Sequence, residues 1–260
     1  MPVATLRSLH TILFDLDDTF TSQGKIPSSS FEALWELKES GLRLVVVTGR
    51  PAGWCDHIAR MWPVDGVIGE NGAFYFWFDE KERKLKKRFL DSHSVRAEKR
   101  QRLEAIRDEI LITVPGCSVA SDQRYREADL AIDYCEDVPP LNDRAVRKIC
   151  HIFASHGATC KVSSIHVNGW FGAYNKLDMA RLFIAERLGM DLDETRERFV
   201  YCGDSLNDEP MFAYFPISVA VQNVMRFIGQ MQSLPTYLTS QKGGEGFAEF
   251  ARHLLSRRNS

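Results

Sequence analysis

The sequence predicts an α/β protein in which a doubly wound parallel-sheet core carries an inserted α+β cap domain. Two observations support this prediction. Short apolar runs alternate with helical segments near both ends of the 260-residue chain, and a long stretch with a different pattern separates them. We therefore predict a core built from residues 1–82 and 169–260, and a cap formed by residues 83–168.

The first part of the core alternates strands and helices. An apolar run at 12–14 precedes an acidic loop, and Ser29 with Glu32 then predicts a capping box at the start of a helix. Residues 42–47 form a continuous apolar run, as expected for a buried parallel strand, and 64–68 repeats the scheme. Ligands of such a sheet bind beyond the carboxyl ends of its strands.

The pattern changes between residues 81 and 167. Two long amphipathic helices are each followed by two strand-like segments, a repeat that is typical of an α+β domain. From Lys176 the first pattern returns, with a helix, an apolar strand at 199–202, a further strand at 217–221 and a C-terminal helix from Phe247.

Composition excludes several classes of protein. A net charge of −2 with 26% charged residues gives no general attraction for nucleic acid or an anionic membrane. The six cysteines show no CxxC pairing and no zinc-finger spacing, so we expect reduced thiols in a cytoplasmic protein. No apolar run reaches the roughly 18 residues of a membrane span, and strand-like sequence near residue 10 leaves no room for a signal peptide.

Two carboxylates, Asp15 and Asp17, directly follow the first apolar run. Carboxylates crowded at the end of a strand repel one another, so such a pair calls for Mg²⁺, a nearby lysine or a raised pKa. On this segment alone, a solvated acidic turn is the alternative.

Four segments lie at strand ends or helix starts of the same core: 15–19, 48–50, Lys176 and 203–208. In combination, order and spacing they resemble the haloacid dehalogenase superfamily of aspartate-nucleophile phosphatases. The cap that follows the third strand, and the segment 69–73 that closes this strand, are similar to members with a large cap after the second motif. These are the sugar-phosphate phosphatases of the trehalose-phosphate, sucrose-phosphate and mannosyl-phosphoglycerate type.

The resemblance implies roles for the acidic residues. Asp15 would be the nucleophile that forms an aspartyl-phosphate, and Asp17 the acid that protonates the leaving oxygen and then the base that activates water. The Asp15 and Asp204 carboxylates and the main-chain carbonyl of Asp17 would bind Mg²⁺. Asp208 would complete the metal site by holding Asp204 or a metal-bound water.

The resemblance also implies phosphate-binding residues. Thr48, Gly49 and Arg50 would bind the phosphoryl group near a helix N-terminus, although an ordinary N-cap with a turn glycine is the alternative. Lys176 would neutralise charge on the phosphoryl group. The chain departs from the usual family pattern after this lysine, with Leu177 in place of glycine.

The cap gives weaker signals. Arg124 and Arg126 precede a predicted cap strand, and His166 lies where the cap rejoins the core, so all three are candidates for substrate binding; for His166 a structural role is equally compatible with the sequence. Residues 81–107 contain eleven Lys and Arg against four Asp and Glu. A solvated helix face and a flanking loop explain this charge better than attraction of an anionic substrate.

Together these features predict a Mg²⁺-dependent phosphatase of a small phosphorylated metabolite, with a sugar phosphate as the implied substrate. A phosphomutase that uses the same two aspartates is the alternative. A dehalogenase is disfavoured because Asp17 would have no leaving group to protonate, and a non-enzymatic phospho-acceptor because it needs neither Asp17 nor a large cap. We expect no nucleic-acid or membrane partner, and the sequence leaves the oligomeric state open.

Overall fold

The computed structural model describes residues 8–258 of the chain. Twelve strands and eight α-helices are assigned in this range. The strands are β1 (Thr11–Phe14), β2 (Arg43–Val47), β3 (Gly66–Gly69), β4 (Phe74–Asp79), β5 (Lys84–Phe89), β6 (Ser118–Val119), β7 (Leu130–Asp133), β8 (Thr159–Val162), β9 (His166–Trp170), β10 (Phe199–Gly203), β11 (Ser218–Ala220) and β12 (Tyr237–Leu238). The helices are α1 (Ser28–Glu39), α2 (Ala52–Met61), α3 (His93–Thr113), α4 (Asp143–Ser155), α5 (Lys176–Phe183), α6 (Leu192–Thr195), α7 (Glu209–Tyr214) and α8 (Gly243–Arg258).

The larger sheet has eight strands in the order β12-β11-β10-β1-β2-β3-β4-β5. The first six are parallel, whereas β4 and β5 are antiparallel additions at one edge. Successive β1 side chains enter two separate hydrophobic cores, since Ile12 and Phe14 pack with α1, α2 and α8 on one face and Leu13 packs with α5 and α7 on the other. Helices on both faces of a parallel sheet confirm the doubly wound fold.

The smaller sheet is antiparallel, with the strand order β6-β7-β9-β8. Helices α3 and α4 cover one of its faces through a third core that includes Ile106, Ile110, Ile149 and Phe153. This is the α+β arrangement expected from the helix–strand–strand repeat.

Two local expectations differ from the structure. The capping box of Ser29 and Glu32 does not form, because α1 begins one residue earlier, at Ser28, with Pro27 as its N-cap. The strand β5 pairs with β4 in the larger sheet, although we placed residue 83 at the start of the cap. The division into core and cap remains a prediction, and strand pairing favours boundaries close to residues 90 and 172.

No helix within residues 8–258 is long and apolar enough to cross a membrane.

Candidate active site

The candidate active site lies at the carboxyl edge of the parallel strands. β1 lies between β10 and β2, in a register that pairs Phe14 with Cys202. The Asp15 N–H continues this ladder by donating to the Cys202 carbonyl at 2.9 Å. Because β1 and β10 end side by side, the acidic loops that follow them meet at the same edge of the sheet.

Three buried carboxylates converge there. Asp15, Asp204 and Asp208 each place one oxygen within 4.8 Å of the other two. Burial raises the pKa of Asp15 to about 8, with further repulsion from Asp208 and Asp17, although the Lys176 ammonium acts in the opposite direction. Burial and repulsion from Asp15, Asp208 and Asp18 raise the pKa of Asp204 well above its usual range. The ionised forms of the trio therefore repel one another and need a cation nearby.

Lys176 supplies part of the compensation. Its Nζ lies 2.7 Å from an oxygen of Asp15 and 2.7 Å from an oxygen of Asp208, and its side chain is buried. Burial alone would lower the Lys176 pKa, but the two carboxylates raise it above the usual value. Asn175 fixes the start of α5 by accepting from the N–H groups of Leu177 and Asp178, so the lysine opens the helix directly beneath the acidic loops.

Gly72 packs closely against Asn175, the residue before Lys176, and this contact keeps the start of α5 in position. Its φ is +110°, and an added Cβ would lie only 2.2 Å from the Asn175 carbonyl oxygen. A side chain at residue 72 would therefore push the turn at 70–72 away from the start of α5.

Both oxygens of the Asp208 carboxylate accept hydrogen bonds from protein donors. One oxygen accepts from Lys176 and from the Tyr201 hydroxyl. The other accepts from the N–H groups of Asp204 and Ser205 at 2.9 and 3.1 Å. Asp208 thus fixes the loop that carries Asp204, as expected for a residue that positions a ligand rather than for a metal ligand itself.

Asp204, in contrast, has an unused oxygen. Its Oδ1 accepts from the Thr19 hydroxyl at 3.1 Å. Its Oδ2 is buried and receives no hydrogen bond from the part of the chain that the structure describes; the Arg226 guanidinium is 3.7 Å away. A buried carboxylate oxygen without a donor, next to the free oxygen of Asp15, fits a divalent cation.

Arg50 holds Asp17. The Nε of Arg50 lies 3.0 Å from each Asp17 oxygen, and its Nη2 lies 2.9 Å from Oδ1. The same guanidinium reaches Asp122 at 3.2 Å and Glu136 at 2.6 Å, both in the predicted cap. One buried arginine therefore joins the acidic loop of the larger sheet to the loops around the smaller sheet.

Thr48 and Gly49 lie beside this arginine. Thr48 is buried, and its hydroxyl accepts from the Arg50 N–H at 3.0 Å. Helix α2 begins at Ala52 with Pro51 as its N-cap, so Thr48 is upstream of the helix rather than its cap. The structure brings Gly49 to the cleft described next.

A narrow cleft lies between the two sheets. Its lining combines Asp15, Asp17, Gly49 and Arg50 with Ser163, Ser164, Ile165, His166 and Asn168 from the predicted cap. A wider space of about 570 Å³, which we call the entry groove, shares part of this lining and opens to solvent. Residues that line the entry groove include Asp17, Asp18, Arg50, Tyr134, Glu136, Ser164 and Arg226.

Comparison with known proteins finds a family match over part of the chain. The model of a family described as haloacid dehalogenase-like hydrolase matches residues 12–114, which include Asp15 and Thr48. Phosphoglycolate phosphatase of Methanoculleus marisnigri is 25% identical over 93% of this chain and 94% of its own length. Phosphoglycolate phosphatase 1 of Saccharolobus solfataricus is 24% identical over 94% of this chain and 95% of its own. The chain is similar to the haloacid dehalogenase-like hydrolases over residues 12–114, and these matches show that it is an enzyme.

Solved structures of similar proteins share the hydrolase fold over nearly the whole chain. Thermoplasma acidophilum 0175 superposes with a TM-score of 0.70 at 18% identity, covering 95% of this chain and 98% of that chain. The sucrose-phosphatase from Synechocystis superposes with a TM-score of 0.65 at 18% identity, covering 94% and 97%. At these identities the likeness shows the fold.

The three candidate cap residues of this hydrolase have different surroundings. His166 is buried in the cleft, with Nε2 2.8 Å from a Glu136 oxygen. Arg126 is buried between Asp122 and Asp129 and donates to the Gly49 carbonyl at 2.9 Å, so it supports the loop at 48–50 from behind. The structure does not bring Arg124 to the site.

Arg124 is exposed and lines a separate pocket on the hydrolase surface, together with Arg100 and Arg107. It follows Gln123 and precedes Tyr125 in a single 3-10 turn. Such a turn points successive side chains in different directions, which explains why Arg124 and Arg126 diverge.

Sequence reasoning about the hydrolase missed four polar residues at the site. Glu70 is buried and accepts four backbone N–H groups, one from Ala52 at the start of α2 and three from residues 127–129. It lies in the 69–73 segment, which was noticed only for its family pattern. Glu136, Ser164 and Arg226 reach the site from loops that carry no recognisable motif.

Proposed function

We propose that the chain is a Mg²⁺-dependent phosphatase that hydrolyses a small phosphorylated metabolite through a phosphoenzyme on Asp15. One observation carries the proposal: the buried Asp15 carboxylate lies between the Lys176 ammonium and the unpartnered oxygen of Asp204. A carboxylate flanked by one cation and by space for a second is suited to attack a negatively charged phosphate. Both curated relatives bear the name of a phosphatase.

The residues provide a two-step reaction. An Asp15 oxygen attacks phosphorus, the bond from phosphorus to the leaving oxygen breaks, and Asp17 gives that oxygen a proton. Water then attacks the aspartyl-phosphate while Asp17 takes up a proton, which releases inorganic phosphate and restores the Asp15 carboxylate. Lys176 stabilises the charge on the transferring group, and Thr48 with the Gly49 N–H orients it.

Mg²⁺ is the cation that fits best, because the free donors are carboxylate oxygens and Mg²⁺ prefers oxygen ligands. Asp15, Asp204 and the main-chain carbonyl of Asp17 would bind it, and Asp208 would keep Asp204 in place. When bound, the ion would neutralise phosphoryl oxygens and Asp15 together.

The substrate is a small molecule. The cleft offers Ser164, His166 and Asn168 to the part of the substrate beyond the phosphate, and such polar groups suit a hydroxylated leaving group. We therefore propose the class of sugar phosphates and related phosphorylated hydroxy compounds. We also propose a cytoplasmic location, which agrees with the six free cysteines of the structure.

Turnover of p-nitrophenyl phosphate with Mg²⁺ tests the proposal. The wild type should release phosphate, and Asp15→Asn should release none, because an amide cannot replace the nucleophile. Asp108→Asn, whose carboxylate is 62% exposed on α3, is the matched control and should keep full activity. Near wild-type turnover by Asp15→Asn would refute the mechanism. Assay of a panel of sugar phosphates for free phosphate and for isomerised product separates hydrolysis from a phosphomutase reaction.

A further inference from the structure

Arg226 reaches the entry groove from the core side of the molecule. It ends the 3-10 turn Gln222–Arg226 that follows β11. Asn223 in the same turn donates to the Asp18 carbonyl at 2.6 Å and accepts from the Gly243 N–H at 2.9 Å. The turn is therefore tied to the loop that carries the predicted catalytic aspartates, and its position relative to that loop is fixed.

The Arg226 guanidinium is only loosely engaged. Its Nη2 lies 3.5 Å from Asp18 Oδ2 and 3.7 Å from Asp204 Oδ2, and both distances exceed those of good hydrogen bonds. The side chain is 47% exposed and rests over the Phe227 ring at 4.6 Å. Its planar N–H groups thus remain accessible from the groove.

The other arginine of the entry groove is fully engaged. Arg50 is 5% exposed and bound by Asp17, Asp122 and Glu136 at 2.6 to 3.2 Å. Among the described residues that line the groove, Arg50 and Arg226 are the two cations, against the acids Asp17, Asp18 and Glu136. Since Arg50 is occupied by Asp17 and Glu136, an anionic group that enters the groove meets one available cation, Arg226.

We propose that Arg226 is a specificity-determining residue that binds a carboxylate on the leaving part of the substrate. The proposal rests on the phosphatase function proposed above and narrows its substrate to phosphorylated hydroxy acids and acidic sugar phosphates. A guanidinium binds a carboxylate through two parallel N–H···O bonds, whereas a neutral hydroxyl accepts at most one.

Two matched substrate pairs test the proposal, with Mg²⁺ present throughout. The first is 2-phosphoglycolate with 2-hydroxyethyl phosphate, and the second is 3-phosphoglycerate with glycerol 3-phosphate. In each pair a carboxylate is replaced by a neutral CH₂OH group. For the wild type we expect kcat/KM to favour the acid at least tenfold in one pair or both. Arg226→Gln should reduce this preference by about tenfold or more, and Arg226→Lys should keep part of it.

The control is Arg196→Gln. Arg196 is 49% exposed and has its own carboxylate partner, Glu197, at 3.7 Å, so it matches Arg226 in exposure and loose pairing but lies outside the entry groove. Its removal should leave the preference unchanged. Equal losses on the acid and on the neutral member in Arg226→Gln would show support of the aspartate loops instead and would overturn the proposal. Absence of any wild-type preference in both pairs would overturn it too.

A binding measurement separates this proposal from the proposed function. On an Asp15→Asn background, calorimetry gives the Kd of 2-phosphoglycolate and of 2-hydroxyethyl phosphate without turnover. Adding Arg226→Gln should weaken binding of 2-phosphoglycolate about tenfold more than binding of 2-hydroxyethyl phosphate. If the wild type hydrolyses no phosphate ester, the phosphatase function fails, and the calorimetric difference alone then confirms or refutes the role of Arg226.

Discussion

Arg50 binds Asp17 through both carboxylate oxygens, with Nε 3.0 Å from each. The same side chain binds Asp122 and Glu136 in the loops around the smaller sheet. The predicted acid–base residue and the predicted cap therefore share one cation. The ion pairs that Arg50 makes with those loops therefore help to set the orientation of Asp17.

Asp17→Asn tests the acid–base assignment. The amide cannot give or take the proton of the leaving oxygen, so we expect kcat to fall by on the order of 10² or more. p-Nitrophenol is a good leaving group that needs little protonation, so the loss should be larger on alkyl phosphates. Steady-state kinetics on both kinds of substrate measure this difference. Equal, small losses on both would remove Asp17 from proton transfer.

Metal binding should stabilise the fold. Millimolar Mg²⁺ should raise the wild-type Tm by about 3 °C or more, because an ion that binds only the folded state shifts the equilibrium. Asp204→Asn should remove this shift while leaving the ion-free form at least as stable, since the variant relieves repulsion in the trio. Asp193→Asn, with a 63% exposed carboxylate, is the control. A Tm that is unchanged by Mg²⁺ and full turnover in EDTA would together contradict the site.

We expect the Glu70 carboxylate to contribute strongly to the free energy of unfolding. Its two oxygens accept four backbone N–H groups, one from the start of α2 and three from 127–129. Glu70→Gln places an NH₂ group against these donors, so we expect a loss of about 2–3 kcal/mol in the free energy of unfolding. Glu249→Gln is the control, because the partly exposed Glu249 accepts the N–H groups of Ser240 and Gln241 and should cost under about 1 kcal/mol. Urea denaturation measures both, and equal losses would contradict the expectation.

Glu136 should contribute stability that depends on pH. Burial would raise its pKa, but His166 and Arg50 bring it down from 4.5 to about 2. The ionised form is favoured in the folded state, so the contribution is complete above about pH 4.5 and is lost as the pH falls towards 2. Because the side chain is 26% exposed, we expect a difference of about 1 kcal/mol between wild type and Glu136→Gln at pH 6. Urea denaturation should show this difference shrinking as the pH is lowered from 6 to 3; a constant difference would refute the assignment.

The part of the site that belongs to the parallel strands was predictable from the sequence. Asp15 and Asp204 follow apolar runs, and the ends of adjacent parallel strands meet at one edge, so spacing along the chain translates into proximity. Lys176 was implied only by the family resemblance, since a lysine that opens a helix is ordinarily solvated; the structure places it 2.7 Å from Asp15. The resemblance to the family and the prediction of the doubly wound fold depend on the same segments.

The rest of the candidate site depends on how loops that are distant in the sequence dock against one another. No repeating sequence pattern predicts such docking. Glu136 and Arg226 lie in irregular segments, and their partners are residues more than 80 positions away or on another strand end. The basic stretch at 81–107 illustrates a different limit. We interpreted it as a solvated helix face with a flanking loop; the helix is present, but the flanking part is β5, an edge strand rich in lysine. Lysines on an edge strand discourage pairing with other chains. In the sequence, such a lysine-rich strand is similar to the exposed face of a helix.

The position of β1 has a consequence for how the protein is made. β1 lies near the start of the chain, yet one of its two hydrogen-bonded neighbours, β10, begins only at Phe199. During synthesis the loop that follows β1 therefore lies beside an unpaired strand edge until residue 199 is translated, whereas the strands of the smaller sheet find their partners within 118–170. Non-local pairing of this kind is slow and leaves an aggregation-prone edge exposed. A ribosome that stalls before β10 would release a chain that has the complete sequence of the smaller sheet but lacks Asp204 and Asp208, so the buried carboxylate trio could not assemble.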